Sequence, residues 1–376
     1  MSSKIKKIRI HLTNIAGTGA TQLALSLLPA IESDKSTHVE NLYLPSTGPL
    51  SHYKRKERRT KITLYRRWLP NGLSRFLECT FLGGNFSGTV PLLVLGDLPI
   101  RCDSPQIVLV HTPHLCISNT KLFFKLKIKH LISSWLFKLN KNRVSMFIVQ
   151  TEEMKVKLKL KYSLPSSKIY TLPQPVPDWL SSSEIRRFGR INSKKSLSLF
   201  YPAAFYPHKN HKLLSKLQPS CSSLISKIVL TLAPSINPAP HLPWIKCVGL
   251  LQPYQVVKEY RLTDGLLFLS NEESYGFPLV EAMFVGLPII CPNLPYAKIL
   301  CGDQAIYFDP LSAKSLNEAI GRLKVKLDSG WWPNWSTQMS KIPDTWEKTA
   351  KDFIKVTTTA NTTFRVVNQS NVVSKL

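Results

Sequence analysis

The chain has 376 residues, of which 43% are hydrophobic and 19% are charged. A chain of this length predicts two domains rather than one, and its apolar content excludes a disordered protein. The formal net charge of +27 predicts an anionic partner: nucleic acid, phospholipid head groups or a diphosphate-bearing substrate.

The composition also limits the cellular compartment in which we expect the protein. No apolar run reaches the roughly 18 residues of a membrane span, and the first residues are too polar for a secretory signal. The seven cysteines are scattered without paired spacing, which is typical of reduced thiols and predicts no metal site. We therefore expect a cytoplasmic protein that lies peripherally on the inner face of the cell membrane, because most of the positive charge falls in the N-terminal half.

The first predicted strand covers residues 8–12 and is followed by a glycine-rich turn that contains Gly17 and Gly19. A leucine-rich stretch then predicts an amphipathic helix. A glycine-rich turn between a strand and a helix can cradle a phosphate, although two glycines alone are weak evidence. The alternative is a tight turn in which glycine supplies a positive φ angle.

A second buried strand is predicted over residues 106–110, and His111 and His114 follow it directly. Side chains at the carboxyl end of a parallel strand face the ligand edge of the sheet. His111 is the first candidate for a ligand-contacting side chain at this edge, and His114 is the second. A hydrogen-bonded structural histidine is the alternative interpretation.

Residues 121–143 combine lysines with aliphatic and aromatic residues and predict a basic helix with apolar residues on more than one face. Such a helix suits contact with an anionic membrane surface. The alternative is a core helix whose lysines extend to solvent. Both apply if one face packs on the sheet and the other meets the bilayer.

In the second half, a strand over residues 197–201 precedes Lys209, which we expect at the start of a helix. A lysine in this place supplies a compact cation for a diphosphate. Without further context, a surface lysine is the simpler interpretation.

Residues 264–295 predict a strand, a polar loop, a short helix and another strand, the pattern of a parallel crossover. Glu273 lies before the helix and Glu281 is expected in its first turn. Gly276 and Pro278 mark the start of the helix, whose free N–H groups favour a phosphate. The alternative is that both glutamates bind no ligand and only stabilise the N-terminus of the helix.

The segment ESYGFPLVEAMFVGLPII, residues 273–290, resembles the donor-site signature of the retaining GT-B glycosyltransferases, family 4 or group 1. The resemblance implies an α/β protein with the GT-B fold, in which two Rossmann-like domains face an interdomain cleft. It implies that Glu281 binds the ribose hydroxyls and Glu273 the donor sugar. It also implies that the backbone amides of Tyr275, Gly276 and Phe277 hold the sugar and the phosphate.

The same resemblance assigns the diphosphate to Lys209 and a sugar-positioning role to His111. It places Gly17 and Gly19 at the cleft, near the transferred group. The family's usual arginine, five positions before the lysine, is Ala204 here, so one cationic contact of the pattern is missing.

Four segments are expected from these elements. Residues 1–175 form an acceptor-side Rossmann-like domain, and residues 176–340 a nucleotide-sugar-binding Rossmann-like domain. Residues 341–356 form a C-terminal helix that crosses back to the first domain, and residues 357–376 a polar tail.

The predicted activity is retaining transfer of a sugar to a glycan or a polyprenyl-diphosphate-linked acceptor, in O-antigen, capsule or other surface polysaccharide synthesis. UDP- or GDP-sugars are the favoured donors. No Asp-x-Asp or His/Cys cluster is present, so we expect a metal-independent enzyme without a cofactor other than its donor substrate. The alternatives are a basic nucleic-acid-binding protein, disfavoured as a class, and a GT-B nucleotide-sugar epimerase or hydrolase.

Overall fold

The computed structural model of the protein describes residues 5–15, 17–66, 71–116, 124–190, 196–218 and 222–373. The chain divides into two compact units. The first unit comprises Met1–Pro175 and Pro343–Leu376, and the second comprises Val176–Ile342. Each unit is built around one parallel sheet.

The sheet of the first unit has seven strands in the order β3-β2-β1-β4-β5-β6-β7, all paired in parallel. The strands are β1 Lys6–His11, β2 Thr37–Pro45, β3 Lys61–Tyr65, β4 Leu92–Val94, β5 Gln106–Val110, β6 Val144–Val149 and β7 Ile169–Thr171. All five residues of β5 are buried, as expected for an apolar strand covered on both faces. The strands predicted over residues 8–12 and 106–110 are thus confirmed.

Helices cover both faces of this sheet. In chain order they are α1 Thr18–Glu32, α2 Asn71–Thr80, α3 Pro113–Cys116, α4 Phe124–Asn140 and α5 Glu152–Tyr162. Leu23, Leu27 and Leu28 of α1 pack into the core of one face, and Leu136 and Phe137 of α4 pack into the core of the other. The first three residues of the predicted basic helix, 121–123, lie outside the described residues.

The sheet of the second unit has six parallel strands in the order β10-β9-β8-β11-β12-β13. The strands are β8 Leu197–Tyr201, β9 Ile225–Leu230, β10 Ile245–Cys247, β11 Gly265–Leu267, β12 Ile289–Pro292 and β13 Ile306–Phe308. Its helices are α6 Asp178–Ser181, α7 Pro253–Leu262, α8 Phe277–Val285, α9 Pro295–Cys301, α10 Ala313–Asp328 and α11 Ser336–Met339. The crossover predicted over residues 264–295 is confirmed as β11, α8 and β12.

Two glycines fix the ends of α8. Gly276 precedes the helix with φ +83° and Gly286 follows it with φ +86°, a left-handed conformation that other residues rarely adopt. A Cβ at Gly286 would lie 2.3 Å from the carbonyl oxygen of Arg187, so no side chain fits there. These two positions set where the short helix begins and where β12 can start.

The last helix, α12 Trp346–Val373, belongs to the first unit and is longer than predicted. The pattern placed a helix over residues 341–356 and a polar tail after it, whereas α12 continues to Val373. The Thr357 hydroxyl donates to the Phe353 carbonyl at 2.7 Å, so this polar side chain is satisfied within the helix. Burial of Phe353 against the core of the first unit holds the helix on the sheet.

Over the described part of the chain, every helix is too short or too polar to cross a lipid bilayer.

Candidate functional site

The carboxyl edge of the second sheet brings together two segments that are far apart in the sequence. β8 and β11 are neighbours, so the chain that leaves β8 meets the loop that leaves β11. The amide of Asn271 donates to the carbonyl of His208 at 2.7 Å. The Asn210 side chain donates to Asn271 Oδ1 at 3.4 Å and to the Pro310 carbonyl at 3.1 Å. These bonds join the two segments into one surface.

Lys209 and Glu273 form an ion pair on this surface. The Lys209 ammonium donates to Glu273 Oε1, and the two side chains are only 16% and 11% exposed. Lys209 is therefore not a surface lysine. It also does not start a helix as predicted: it ends the 3-10 turn Pro207–Lys209, because Asn210 takes a left-handed conformation with φ 54°.

The backbone around Lys209 is held from inside the unit. The buried Tyr201 hydroxyl donates to the Lys209 carbonyl at 2.8 Å, and the Lys209 ammonium lies 5.9 Å from the ring centre of Phe268. A cation held this way keeps its position without a bound anion. The pair therefore presents a positive and a negative group side by side, one suited to phosphate oxygens and the other to hydroxyl groups.

Glu281 lies in the second turn of α8, not in the first turn as predicted, and it is 7% exposed. The Tyr260 hydroxyl donates to Glu281 Oε2 at 2.7 Å. Burial raises the pKa of the Glu281 carboxyl to about 7, and the hydrogen bond from Tyr260 opposes that rise. A carboxyl buried in this way does more than favour a helix N-terminus, so the simpler interpretation of Glu281 does not describe it.

The first turn of α8 faces the same edge. Gly276 caps the helix, Phe277 is its first residue, and the buried Tyr275 packs edge-on against the Phe277 ring at 5.1 Å. The first N–H groups of a helix have no acceptor within it and carry a partial positive charge. The segment predicted to hold sugar and phosphate through its amides thus supplies such groups.

In the first unit, Gly17 and Gly19 lie where β1 gives way to α1. Gly17 is the residue before the helix with φ −76°, and Gly19 is inside the helix. Neither has a positive φ angle, so the tight-turn interpretation is wrong. A Cβ at either position would meet no atom within 4 Å. Among the described residues of the unit, no contact requires glycine at these two positions.

His111 lies at the carboxyl end of β5 and is held by Asp97. Oδ1 of Asp97 accepts the amides of His111 and Thr112 at 2.7 and 2.9 Å, and Oδ2 accepts the Thr112 hydroxyl at 2.6 Å. His111 Nε2 lies 3.4 Å from Oδ2. Its other ring nitrogen, Nδ1, is buried and has no partner among the described residues. The ring is thus oriented by a carboxylate, as in many reactive histidines.

His114, the second candidate, lies one turn further along in α3. Its ring stacks on that of His130 in α4, with the ring centres 4.4 Å apart. It lines a cavity of the first unit together with Asp97.

Sequence reasoning missed Tyr260 and Asp97. Tyr260 gives no signal, because a tyrosine on the buried side of an amphipathic helix is typical of a core residue. Asp97 was detectable from the sequence, because it comes three residues after the end of β4, beyond Leu95 and Gly96. A carboxylate after a buried parallel strand is itself a sign of a ligand edge.

Within the described residues, no three or more His, Cys, Asp or Glu side chains cluster in a way that could hold a metal ion.

The similarity of this chain to known proteins lies mainly in its fold. No protein-family model matches the chain. A segment is 26% identical over 88 residues to O-antigen chain mannosyltransferase B of Escherichia coli, and this match spans 23% of each protein. The chain thus aligns with about a quarter of that relative's length.

Solved structures match over nearly the whole chain. A glycosyltransferase from Rickettsia africae is 10% identical with a TM-score of 0.64, covering 94% of this chain and 98% of that one. An E. coli trehalose-6-phosphate structure bound with UDP-2-fluoro glucose is 10% identical with a TM-score of 0.62, covering 93% and 98%. Sucrose-phosphate synthase from Thermosynechococcus elongatus is 11% identical with a TM-score of 0.59, covering 98% and 100%.

The protein has the GT-B fold. Its two parallel sheets of seven and six strands, each covered by helices, match this α/β architecture as predicted from residues 273–290.

Proposed function

We propose that the protein is a retaining glycosyltransferase that moves a sugar from a nucleotide-sugar donor to a glycan or lipid-linked glycan acceptor. The observation that supports this most is the carboxyl edge of the second sheet. There Lys209, from the segment after β8, pairs with Glu273 of the loop after β11, which leads into α8 and the buried carboxyl of Glu281. The similarity to a glycosyltransferase and to a structure with bound UDP-2-fluoro glucose agrees with it.

In this proposal the nucleotide and the sugar use different carboxylates. The ionised Glu281 accepts hydrogen bonds from the ribose hydroxyls, and Tyr260 orients it from the buried side. Glu273 accepts from hydroxyls of the donor sugar, and the amides at Tyr275, Gly276 and Phe277 bind the sugar and its phosphate.

Lys209 stabilises the negative charge that develops on the departing diphosphate, the stage at which electrostatics contributes most. Because Ala204 replaces an arginine of the family pattern, Lys209 and the helix amides carry this task without a second long cation. His111 positions the donor sugar from the first unit, with Asp97 holding its ring. No side chain is assigned as a nucleophile, and the donor site works without a metal ion or a cofactor.

We propose a lipid-linked acceptor, as in O-antigen or other surface polysaccharide synthesis, because of the outer face of α4. Ile128, Leu131, Ile132, Trp135 and Leu139 are 42% to 69% exposed and lie on the side of the helix opposite its buried residues. An exposed apolar face on a strongly basic protein suits the anionic inner surface of the cell membrane. The segment match to an O-antigen chain mannosyltransferase agrees with such an acceptor.

Donor binding is the first test. UDP-, GDP-, ADP- and dTDP-sugars are compared by thermal shift on the wild type, Glu281→Ala and the control Glu318→Ala, which alters an exposed carboxylate of α10. One nucleotide is expected to stabilise the wild type and the control, by about 2.7 kcal/mol at a hundredfold excess over Kd, and to leave Glu281→Ala unchanged. The proposal is wrong if no nucleotide sugar stabilises the folded wild type.

Product analysis then tests the stereochemistry. Proton NMR of the glycoside formed on a lipid-linked acceptor is expected to show the anomeric configuration of the donor. Inversion, or release of free sugar in the presence of acceptor, would contradict the proposal.

Membrane contact is tested with vesicles of phosphatidylglycerol and of phosphatidylcholine. Leu131→Ser with Trp135→Ser is expected to abolish co-sedimentation with anionic vesicles, whereas Val325→Ser, an equally exposed apolar residue of α10, leaves it intact. Equal binding of all three proteins would exclude the α4 face as the contact.

A further inference from the structure

A short cationic loop, residues 54–61, leads into the edge strand β3 of the first unit. Six of its eight residues are lysine or arginine, and all six side chains are exposed. They are Lys54, Arg55, Lys56, Arg58, Arg59 and Lys61. A run of like charges is usually disordered and solvated. This run differs, because contacts on its inner side fasten it to the first unit.

Two carboxylates hold the cationic loop in place. The Tyr53 hydroxyl donates to Glu32 Oε2 at 2.6 Å, and the amide of Lys56 donates to the same oxygen at 3.2 Å. Nδ1 of His38 lies 3.2 Å from each carboxylate oxygen of Glu57. Both carboxylates thus serve the inner side of the loop.

The outward cations are not neutralised by the part of the chain that the structure describes. Four of the six form no hydrogen bond or ion pair with any described residue: Lys54, Arg58, Arg59 and Lys61. Arg55 turns back instead, and its Nη1 donates to the carbonyl of the buried Thr60 at 2.6 Å. An array of cations on a fastened loop binds an anionic partner with little further loss of backbone entropy.

The strand that follows the loop is open on one side. β3 ends the seven-stranded sheet and pairs only with β2 among the described strands. It is partly exposed: Leu64 is 52% exposed, and Ile62 and Thr63 are half-buried. The outer edge of such a strand presents N–H and C=O groups that can pair with another strand. Because Lys61 is the first residue of β3, the cations and the open edge are continuous.

The charge and the open edge together select one class of partner. A second copy of this chain would place like charges side by side, which opposes pairing of the two edges. The phosphates of a lipid or a nucleic acid would meet the cations but leave the strand edge unused. An acidic polypeptide in an extended conformation uses both, since its backbone pairs with β3 while its carboxylates meet the loop.

We propose that the cationic loop and the outer edge of β3 bind an acidic, extended segment of a partner protein, which adds a strand to the first sheet. This interaction is independent of sugar transfer, and it uses none of the donor-site residues of the second unit.

The test is fluorescence anisotropy of the full-length protein with a labelled decapeptide of alternating glutamate and valine. β-branched residues favour the extended conformation of an added strand. A second probe has the same sequence with a methyl group on every backbone nitrogen, which keeps the charge and removes the backbone donors. The methylated probe is expected to bind about tenfold more weakly.

Charge variants locate the binding surface. Arg58→Gln with Arg59→Gln removes two outward cations, and it is expected to raise the Kd of the decapeptide about tenfold. The matched control, Lys348→Gln with Lys351→Gln, removes two exposed lysines of α12 in the same unit and is expected to leave the Kd unchanged. Both variants alter exposed side chains only, and circular dichroism verifies that they fold.

Four outcomes overturn the proposal. Equal weakening by both charge variants means that only the general field of the protein acts, and equal binding of the two probes means that no strand is added. Tighter binding of oligothymidine or of phosphatidylglycerol vesicles, lost when Arg58 and Arg59 are replaced, means that the partner is a nucleic acid or a membrane. A dimer in sedimentation velocity that the same replacement abolishes means that a second copy occupies the edge.

Discussion

The carboxyl edges of the two sheets treat their charged groups differently. In the second unit Lys209 is paired with Glu273, and Glu281 is hydrogen-bonded to Tyr260. In the first unit the carboxylate Asp97 instead accepts the backbone amides of His111 and Thr112, and the Arg75 guanidinium donates to the Gly96 carbonyl. The second edge thus pairs a cation with a carboxylate, whereas the first edge uses its carboxylate to hold the loop that carries His111.

The difference has an energetic reason. A largely buried ion pair keeps its geometry in the absence of substrate, but removing one member leaves the other charge buried without a partner and destabilises the fold. Substitution of Lys209 or Glu273 should thus change stability and function together.

The largest effect is expected for Lys209→Ala. It leaves the Glu273 carboxylate, 11% exposed, without its cation, which should destabilise the second unit by about 3 kcal/mol. Sugar transfer should fall about 100-fold or more, because the charge on the leaving diphosphate loses its stabilising group. Urea unfolding and initial transfer rates measure the two effects.

The double variant Lys209→Met with Glu273→Gln is the control for this loss. It removes both charges, so it should recover most of the stability and none of the activity. Recovery of activity would mean that Lys209 acts only by neutralising Glu273.

The next effect concerns pH and Glu281. Burial raises the pKa of the Glu281 carboxyl from 4.5 to about 7 in the folded protein. Below pH 4.5 the carboxyl is protonated in both states, and its contribution to stability is fully present. As pH rises through 7 that contribution is lost, because the carboxyl ionises more readily in the unfolded chain than in the folded protein. Relative to Glu281→Gln, the wild type should lose about 3 kcal/mol between pH 4.5 and 7 and nothing further above that. Donor affinity should rise over the same range, because only the ionised carboxylate accepts from two ribose hydroxyls.

Parallel thermal melts of the two proteins from pH 4 to 9, with and without the stabilising nucleotide, measure both trends. A wild-type curve that stays parallel to that of Glu281→Gln would show that this carboxyl titrates normally.

Tyr260→Phe should have a smaller effect. It removes the hydrogen bond that lowers the pKa of Glu281, so the midpoint of the pH dependence should move upwards and donor affinity at pH 7 should weaken about tenfold. Tyr254→Phe is the matched control, since Tyr254 lies on the same helix and is 72% exposed. A loss of affinity without a shift in the pH midpoint would indicate that Tyr260 acts on the shape of the site instead.

The smallest effects on stability are expected when one glycine at each sheet edge is replaced by alanine. Gly276→Ala forces a side chain into a conformation with φ +83° and should cost about 1 to 2 kcal/mol. Gly17→Ala should leave stability unchanged, because its φ is ordinary and a Cβ there meets no atom within 4 Å. A fall in transfer rate for folded Gly17→Ala would show that a ligand approaches the backbone there, and an unchanged rate would remove Gly17 from the site.

Much of the fold was predictable because its signals are local. Buried parallel strands are continuous apolar runs, and glycine and proline mark the ends of α8 through φ angles that do not depend on distant residues. The C-terminal helix was less predictable. Its polar second half looks like a tail, but threonine hydroxyls bond to the preceding turn and Phe353 anchors the helix in the core.

The sequence by itself determined the α/β class, the crossover that contains Glu273 and Glu281, and the resemblance on which the proposed donor-site residues rest, because these depend on spacing along one continuous segment. Only the tertiary structure decided which groups meet. It paired Lys209 with Glu273, placed Tyr260 on Glu281, and set Asp97 against His111. Those contacts join residues up to 64 positions apart. The Lys209–Glu273 and Asp97–His111 contacts form because parallel strands bring their carboxyl ends to one edge of a sheet, and the Tyr260–Glu281 contact forms because α7 packs beside α8.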